Sequence, residues 1–208
     1  MIRNLKIKVC GMKFTRNREA VEALGVDLMG YIFFPSSKRF VGKAPETGLF
    51  NSQKPKVGVF VNENAFEILG LAKNLGFEYV QLHGNENPKT CQIIKTQGIK
   101  IIKAFPIDDK FSFKTTNSYE GIADYFLFDT KTQLHGGSGK KFNWQILNEY
   151  TGHTPFFLSG GIEPEDSKQI NKTDHPKLFG VDLNSGFEDE PGLKNIEKLK
   201  KFIDELKK

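Results

Sequence analysis

Phe126-Leu127-Phe128-Asp129-Thr130 is an apolar run that ends on a carboxylate and leads into Gly136-Gly137-Ser138-Gly139. A lone acid where an apolar strand stops is how barrel enzymes present their chemistry. The same arrangement occurs near the N-terminus, where an apolar run stops abruptly at Gly11 and leaves the Cys10 thiol at its end. One acid and one potential base are therefore delivered in the same way.

Outward from these two runs, short β-branched and aromatic stretches alternate with helical patterns along the chain. The spacing predicts strands over 6–10, 28–34, 56–61, 79–83, 100–105, 125–129, 156–159 and 178–183. Eight strands in 208 residues leave about 26 residues per unit, compact beside the usual barrel of about 250 residues. Asn62 is placed to cap a helix with Phe66, Leu69, Ala72 and Leu75 on its apolar face and Gly76 as its stop. Pro191 is placed to open a last helix carrying Leu193, Ile196, Leu199, Ile203 and Leu206, whose lysines read as a solvated face. Between the fifth and sixth strands the pattern is polar and mixed, with a short helical candidate over 118–123. A closed parallel (β/α)8 barrel satisfies this order without leaving an open edge. The competing doubly wound sheet calls for a glycine-rich phosphate loop after its first strand, and Cys10-Gly11-Met12-Lys13 is not one.

The expected organisation is one α/β domain over 1–208, since no linker or low-complexity block divides the chain. An apolar content of 38% with 19 Phe is enough for a sizeable core. The net charge of +5 suits an anionic small molecule better than a polyanion, so no nucleic-acid partner is expected. Cys10 and Cys91 stand far apart and in no metal-ligand spacing, which indicates neither a disulfide framework nor a metal site. Met1-Ile2-Arg3-Asn4-Leu5-Lys6 begins no signal peptide, and no apolar run approaches membrane-spanning length, so a cytoplasmic protein without a membrane partner is expected.

Further candidates follow the later strands. Ser159-Gly160-Gly161 and Asp182-Leu183-Asn184-Ser185-Gly186 come after strands seven and eight, where barrels bind phosphate on exposed backbone N–H groups. A turn needing positive φ explains either glycine group as well, but two such turns in adjacent units favour a phosphate site. Arg39, in the loop after the second strand, offers a planar fork for a carboxylate. Cys10 is either a small buried hydrophobe or a base with a shifted pKa, and Asp129 either caps the next turn or acts as an acid. Cys91 reads as structural. His83 ends a strand in Gln81-Leu82-His83-Gly84, with neither an acid nor a Ser or Cys partner nearby in sequence, and reads as a positioning, packing or substrate-contacting residue rather than the base.

Taken in order, seven blocks resemble the phosphoribosylanthranilate isomerase family of tryptophan biosynthesis. They are Lys8-Val9-Cys10-Gly11-Met12, Gly30-Tyr31-Ile32-Phe33-Phe34-Pro35 with Arg39, Val57-Gly58-Val59-Phe60-Val61-Asn62, Gln81-Leu82-His83-Gly84, Phe128-Asp129 with the 136–139 glycine loop, Ser159-Gly160-Gly161, and Val181-Asp182 with Ser185-Gly186. The resemblance implies a small TIM barrel that performs an Amadori rearrangement of N-(5-phosphoribosyl)anthranilate without a cofactor or a metal, as a monomer or homodimer. It also implies Cys10 as general base, Asp129 as general acid and Arg39 as the holder of the anthranilate carboxylate. Gly160, Gly161, Asn184, Ser185 and Gly186 would bind phosphate, with Asp182 and His83 in support. The chain departs from the family pattern at Lys38, where proline is frequent, and at Asn184, where serine is. The competing implications are a barrel that binds a phosphorylated metabolite without turning it over, which needs neither Cys10 nor Asp129, and another phosphosugar barrel enzyme with a different acid–base pair.

Overall fold

The computed structural model describes residues 4–131 and 141–208. The glycine loop expected over 136–139 lies outside the described residues. Eight parallel strands close into a barrel in sequence order: β1 (Lys6–Val9), β2 (Leu28–Ile32), β3 (Lys56–Phe60), β4 (Tyr79–Leu82), β5 (Lys100–Ile107), β6 (Tyr125–Thr130), β7 (Phe156–Leu158) and β8 (Leu178–Leu183). The seam is the β1–β8 pairing, in register from Lys6 opposite Gly180 to Val9 opposite Leu183.

Each strand divides its residues between two layers because successive side chains point to opposite faces. Cys10, Leu28, Val57, Val59, Ile102, Ala104, Leu127 and Phe157 fill the barrel interior. Their neighbours, such as Val9, Phe126 and Phe128, face outward into the larger core beneath the helices.

The outer layer holds five α-helices among the described residues: α1 (Thr15–Ala23), α2 (Ala65–Leu75), α3 (Pro88–Lys95), α4 (Ser167–Lys172) and α5 (Ile196–Leu206). Asn87 caps α3, its Oδ1 accepting from Thr90 N at 3.0 Å, with Pro88 supplying a preset first turn. Residues 33–55 contain no helix, and the crossovers around β6 are 3-10 turns over Phe113–Tyr119 and Trp144–Glu149. Aromatic rings cover β6 where full helices are missing. Phe128 packs on Phe113 at 5.3 Å and on Tyr150 at 5.2 Å, while Phe105 meets Phe126 at 5.2 Å. Such pairs add about 0.5–1.5 kcal/mol beyond the apolar area they bury.

Three local expectations are corrected. The cap of α2 is Asn64, whose Oδ1 accepts from Phe66 N at 2.8 Å. Asn62 instead turns left-handed at φ 53 and accepts from Asn85 N. The helix therefore buries Ile68 and Ala72 and leaves Phe66 76% exposed. Pro191 does not open a helix. It turns an antiparallel hairpin of β9 (Glu188–Glu190) and β10 (Leu193–Lys194), and α5 starts only after Asn195, which caps it through Lys198 N. Between β5 and β6 the helical turn lies over Phe113–Tyr119, earlier than the 118–123 expected, because Phe113 and Thr116 are the residues that bury.

Candidate active site

The C-terminal ends of the strands open onto a cavity that is continuous with solvent. Cys10, His83, Asp129, Gly160, Gly161, Asp182, Asn184 and Ser185 all line it. The structure thus brings the thiol and the carboxylate, expected from sequence at two separate strand ends, to the wall of one chamber.

Cys10 follows β1 and turns its side chain inward, where it belongs to the barrel's interior cluster. Room for the sulfur comes from Gly30 on the neighbouring strand, since a Cβ there would stand 2.8 Å from Sγ. Burial pushes the thiol pKa up, and the Lys8 ammonium works against that rise. Lys8 itself is wholly buried with Nζ 2.7 Å from Asp182 Oδ1. Burial opposes its charge, but Asp182 and Cys10 outweigh it and raise its pKa. Burial likewise raises Asp182 against the pull of Lys8.

Asp129 stands on the penultimate residue of β6. Its Oδ1 accepts from Thr130 N at 2.8 Å and its Oδ2 lies 3.2 Å from His83 Nε2. The carboxylate partner that His83 lacks in sequence is therefore supplied by β6, two strands along the sheet. Gln81, 1% exposed, reaches the other ring nitrogen of His83 through its amide at 2.8 Å. Gly160 passes close over Asp129 at φ +88, and a Cβ there would clash with Thr130 N and stand 2.9 Å from Asp129 Oδ1. That turn admits only glycine.

Arg39 and Gly186 sit behind the lining rather than in it. The Arg39 Nε lies 2.9 Å from both carboxylate oxygens of Glu188 and its Nη2 lies 2.6 Å from Oε2. Burial favours neutral Glu188, but Arg39 and Lys194 overcome it and hold the carboxyl below its ordinary range. Lys194, fully buried and pushed below the ordinary lysine range by burial, binds Glu188 at 2.6 Å and Asn184 Oδ1 at 2.7 Å. A continuous chain thus runs from Arg39 through Glu188 and Lys194 to Asn184 in the turn after β8. Gly186 presses on the Ile162 backbone, where a Cβ would clash with the carbonyl oxygen.

Gln81, Glu188, Lys194 and Lys8 were not singled out from sequence as site residues. Lys8 alone left a signal, a charged residue inside an apolar strand two positions before Cys10. Among the described residues no cluster of three or more His, Cys, Asp or Glu side chains is placed to hold a metal ion. No helix among them is long and apolar enough to cross a membrane.

The chain is similar to known proteins over nearly its whole length. Residues 7–205 match the family model described as N-(5'phosphoribosyl)anthranilate (PRA) isomerase. The chain is 50% identical over 204 residues to N-(5'-phosphoribosyl)anthranilate isomerase of Parabacteroides distasonis, covering 96% of this chain and 92% of that protein. It superposes on the crystal structure of phosphoribosyl anthranilate isomerase from Thermotoga maritima with a TM-score of 0.83 at 32% identity, covering 98% of each chain. A crystal structure of such an isomerase in complex with reduced 1-(o-carboxyphenylamino)-1-deoxyribulose 5-phosphate matches with a TM-score of 0.80 at 29% identity, again over 98% of each chain.

Proposed function

Because the chain belongs to the N-(5′-phosphoribosyl)anthranilate isomerase family, we propose that Cys10 is the general base and Asp129 the general acid of its reaction. The enzyme converts N-(5-phosphoribosyl)anthranilate to 1-(2-carboxyphenylamino)-1-deoxyribulose 5-phosphate, an aldose–ketose isomerisation in tryptophan biosynthesis. The observation that carries the residue assignment is the cavity that Cys10 and Asp129 line together, with glycine turns after β7 and β8 at the same mouth.

The proton balance fits two groups working in alternation. Asp129 gives its proton to the furanose oxygen as the C1–O bond breaks, leaving an iminium at C1. The iminium acidifies the C2 hydrogen, which the Cys10 thiolate removes to give an enolamine. Cys10 then returns a proton to C1 while Asp129 takes the one from the C2 hydroxyl, and both groups end as they began. Each positioned transfer contributes typically a hundred- to ten-thousand-fold. His83, oriented by Gln81, holds the Asp129 carboxylate in place throughout.

The remaining acceleration comes from fixing the substrate at both ends. Arg39, with Glu188 on one edge of its guanidinium, holds the anthranilate carboxylate. Gly160, Gly161, Asn184 and Ser185 take the phosphate, with Gly186 supporting the turn behind them. The chain acts as a single domain over 1–208, in the cytoplasm, alone or as a homodimer. The test is to add the purified protein to freshly made phosphoribosylanthranilate and follow the loss of its fluorescence, with Cys10→Ala and Asp129→Ala alongside. Decay beyond the spontaneous rate in wild type and near-spontaneous decay in both variants is expected. Wild-type rates in either variant remove that residue from the mechanism.

A further inference from the structure

The barrel interior holds a charge pair that the acid–base cycle does not use. Lys8 and Asp182 are register partners across the seam between β1 and β8, with side chains 0% and 5% exposed. A buried ion pair is a poor source of stability, because the lost hydration of two ions offsets most of their attraction. Its position sets it apart. Strand residues two apart share a face, so the Lys8 ammonium lies beneath the Cys10 thiol on the inward side of the same strand. The interior cluster that the thiol joins is otherwise apolar side chains, which offer a thiolate no hydrogen bond. Burial pushes the thiol up accordingly. The charged groups that act on it are Lys8 from its own strand, Asp182 from β8 and Lys194 from β10. Asp129 and His83 act on Asp182 in turn. Of the groups favouring the thiolate, Lys8 is the strongest.

We propose that Lys8 is the counter-ion of the Cys10 thiolate, a positioning residue held in place by Asp182 that makes the release of the thiol proton into the cavity less costly. When the substrate's C2 proton arrives on Sγ, the ammonium falls back on Asp182, so neither state of the cycle strands a buried charge. The proposal rests on Cys10 as the base.

The experiment reads the thiol directly. In a Cys91→Ser background, alkylation of Cys10 by iodoacetamide is followed by mass across about pH 7 to 11.5, which reaches above an ordinary thiol. Lys8→Met is expected to raise the midpoint by about one pH unit or more, so that alkylation below both midpoints slows about tenfold. The acid limb of kcat/KM should move with it and turnover should recover at high pH. Lys8→Arg should restore the lower midpoint, and Asp182→Asn, which removes the competing anion, should shift it downward. An unchanged midpoint in Lys8→Met overturns the proposal. If that variant fails to fold around an unpaired Asp182, the double variant Lys8→Met/Asp182→Asn decides. Its midpoint is read against that of Asp182→Asn alone: a higher midpoint in the double variant supports the counter-ion, and an equal or lower one overturns it. Wild-type turnover in Cys10→Ala would remove the base assignment while leaving the alkylation midpoints readable, so the two failures are distinguishable.

Discussion

Among the described residues, two buried lysine–carboxylate pairs have their lysines on opposite faces of the barrel sheet, apart from the Lys194–Glu188 pair of the hairpin. Lys103, on the outward face of β5, donates to Glu86 Oε2 at 3.0 Å, Leu82 O at 3.1 Å and Gly84 O at 2.7 Å. Those three acceptors use up the three donors of an ammonium. Glu86 in turn accepts from Gly84 N and Asn62 N, so the pair ties the turn after β4 and with it His83 at the mouth. Lys8, on the inward face, spends one donor on Asp182 Oδ1 and sits beneath a thiol. A saturated pair is a strut. An unsaturated pair next to a reacting atom has capacity left for chemistry.

That contrast can be broken by experiment. Cys10→Ala and Asp129→Ala should each lower turnover about a hundred- to ten-thousand-fold while the melting temperature stays close to wild type. A matching loss of stability would mean that the inner face is structural too. Lys103→Met should do the reverse, costing about 3–5 kcal/mol in urea unfolding because Glu86 is left buried and unpaired, with the Cys10 alkylation midpoint unmoved. A shifted midpoint would erase the distinction between the two pairs. Arg39→Ala should raise KM about ten- to a hundredfold, as the loss of about 1.5–3 kcal/mol of charge-assisted hydrogen bonding implies, with kcat changed far less. Unaltered affinity would take Arg39 out of the site.

The smallest effect concerns acid. Glu188 has a folded-state pKa below its ordinary value of 4.5. Its contribution to stability is therefore present above about pH 4.5 and lost as pH falls through the lower folded value. Glu188→Gln should flatten the acid limb of urea stability measured between about pH 3 and 6. An acid limb as steep as wild type would show that its pairing with Arg39 and Lys194 does not stabilise the fold.

The strands were legible because a two-sided core demands apolar and β-branched runs, a trace most of the eight leave, although Lys8 interrupts it in β1 and Lys103 in β5. Helix starts were less so. Asn62 and Asn64 offer the same side chain two positions apart, and only the left-handed backbone at Asn62 separates them. Pro191 suits a helix start or a hairpin turn equally, and the choice is made by Glu188 reaching Arg39, 149 residues away. At the site, Cys10 and Asp129 announce themselves through local position at strand ends. Their helpers do not, since Lys8 finds Asp182 across 174 positions and His83 finds Asp129 two strands along the sheet. A pairing of that kind has no local signature.

The seam where β1 meets β8 has a consequence for when the protein becomes an enzyme. Lys8 and Asp182 are 174 positions apart, so the contact beside the thiol closes only after the chain from β1 to β8 has been made and ordered. A nascent fragment carries the sulfur in an unfinished sheet, without the environment that tunes it. Competence arrives last, as the final turn of assembly rather than the property of any half.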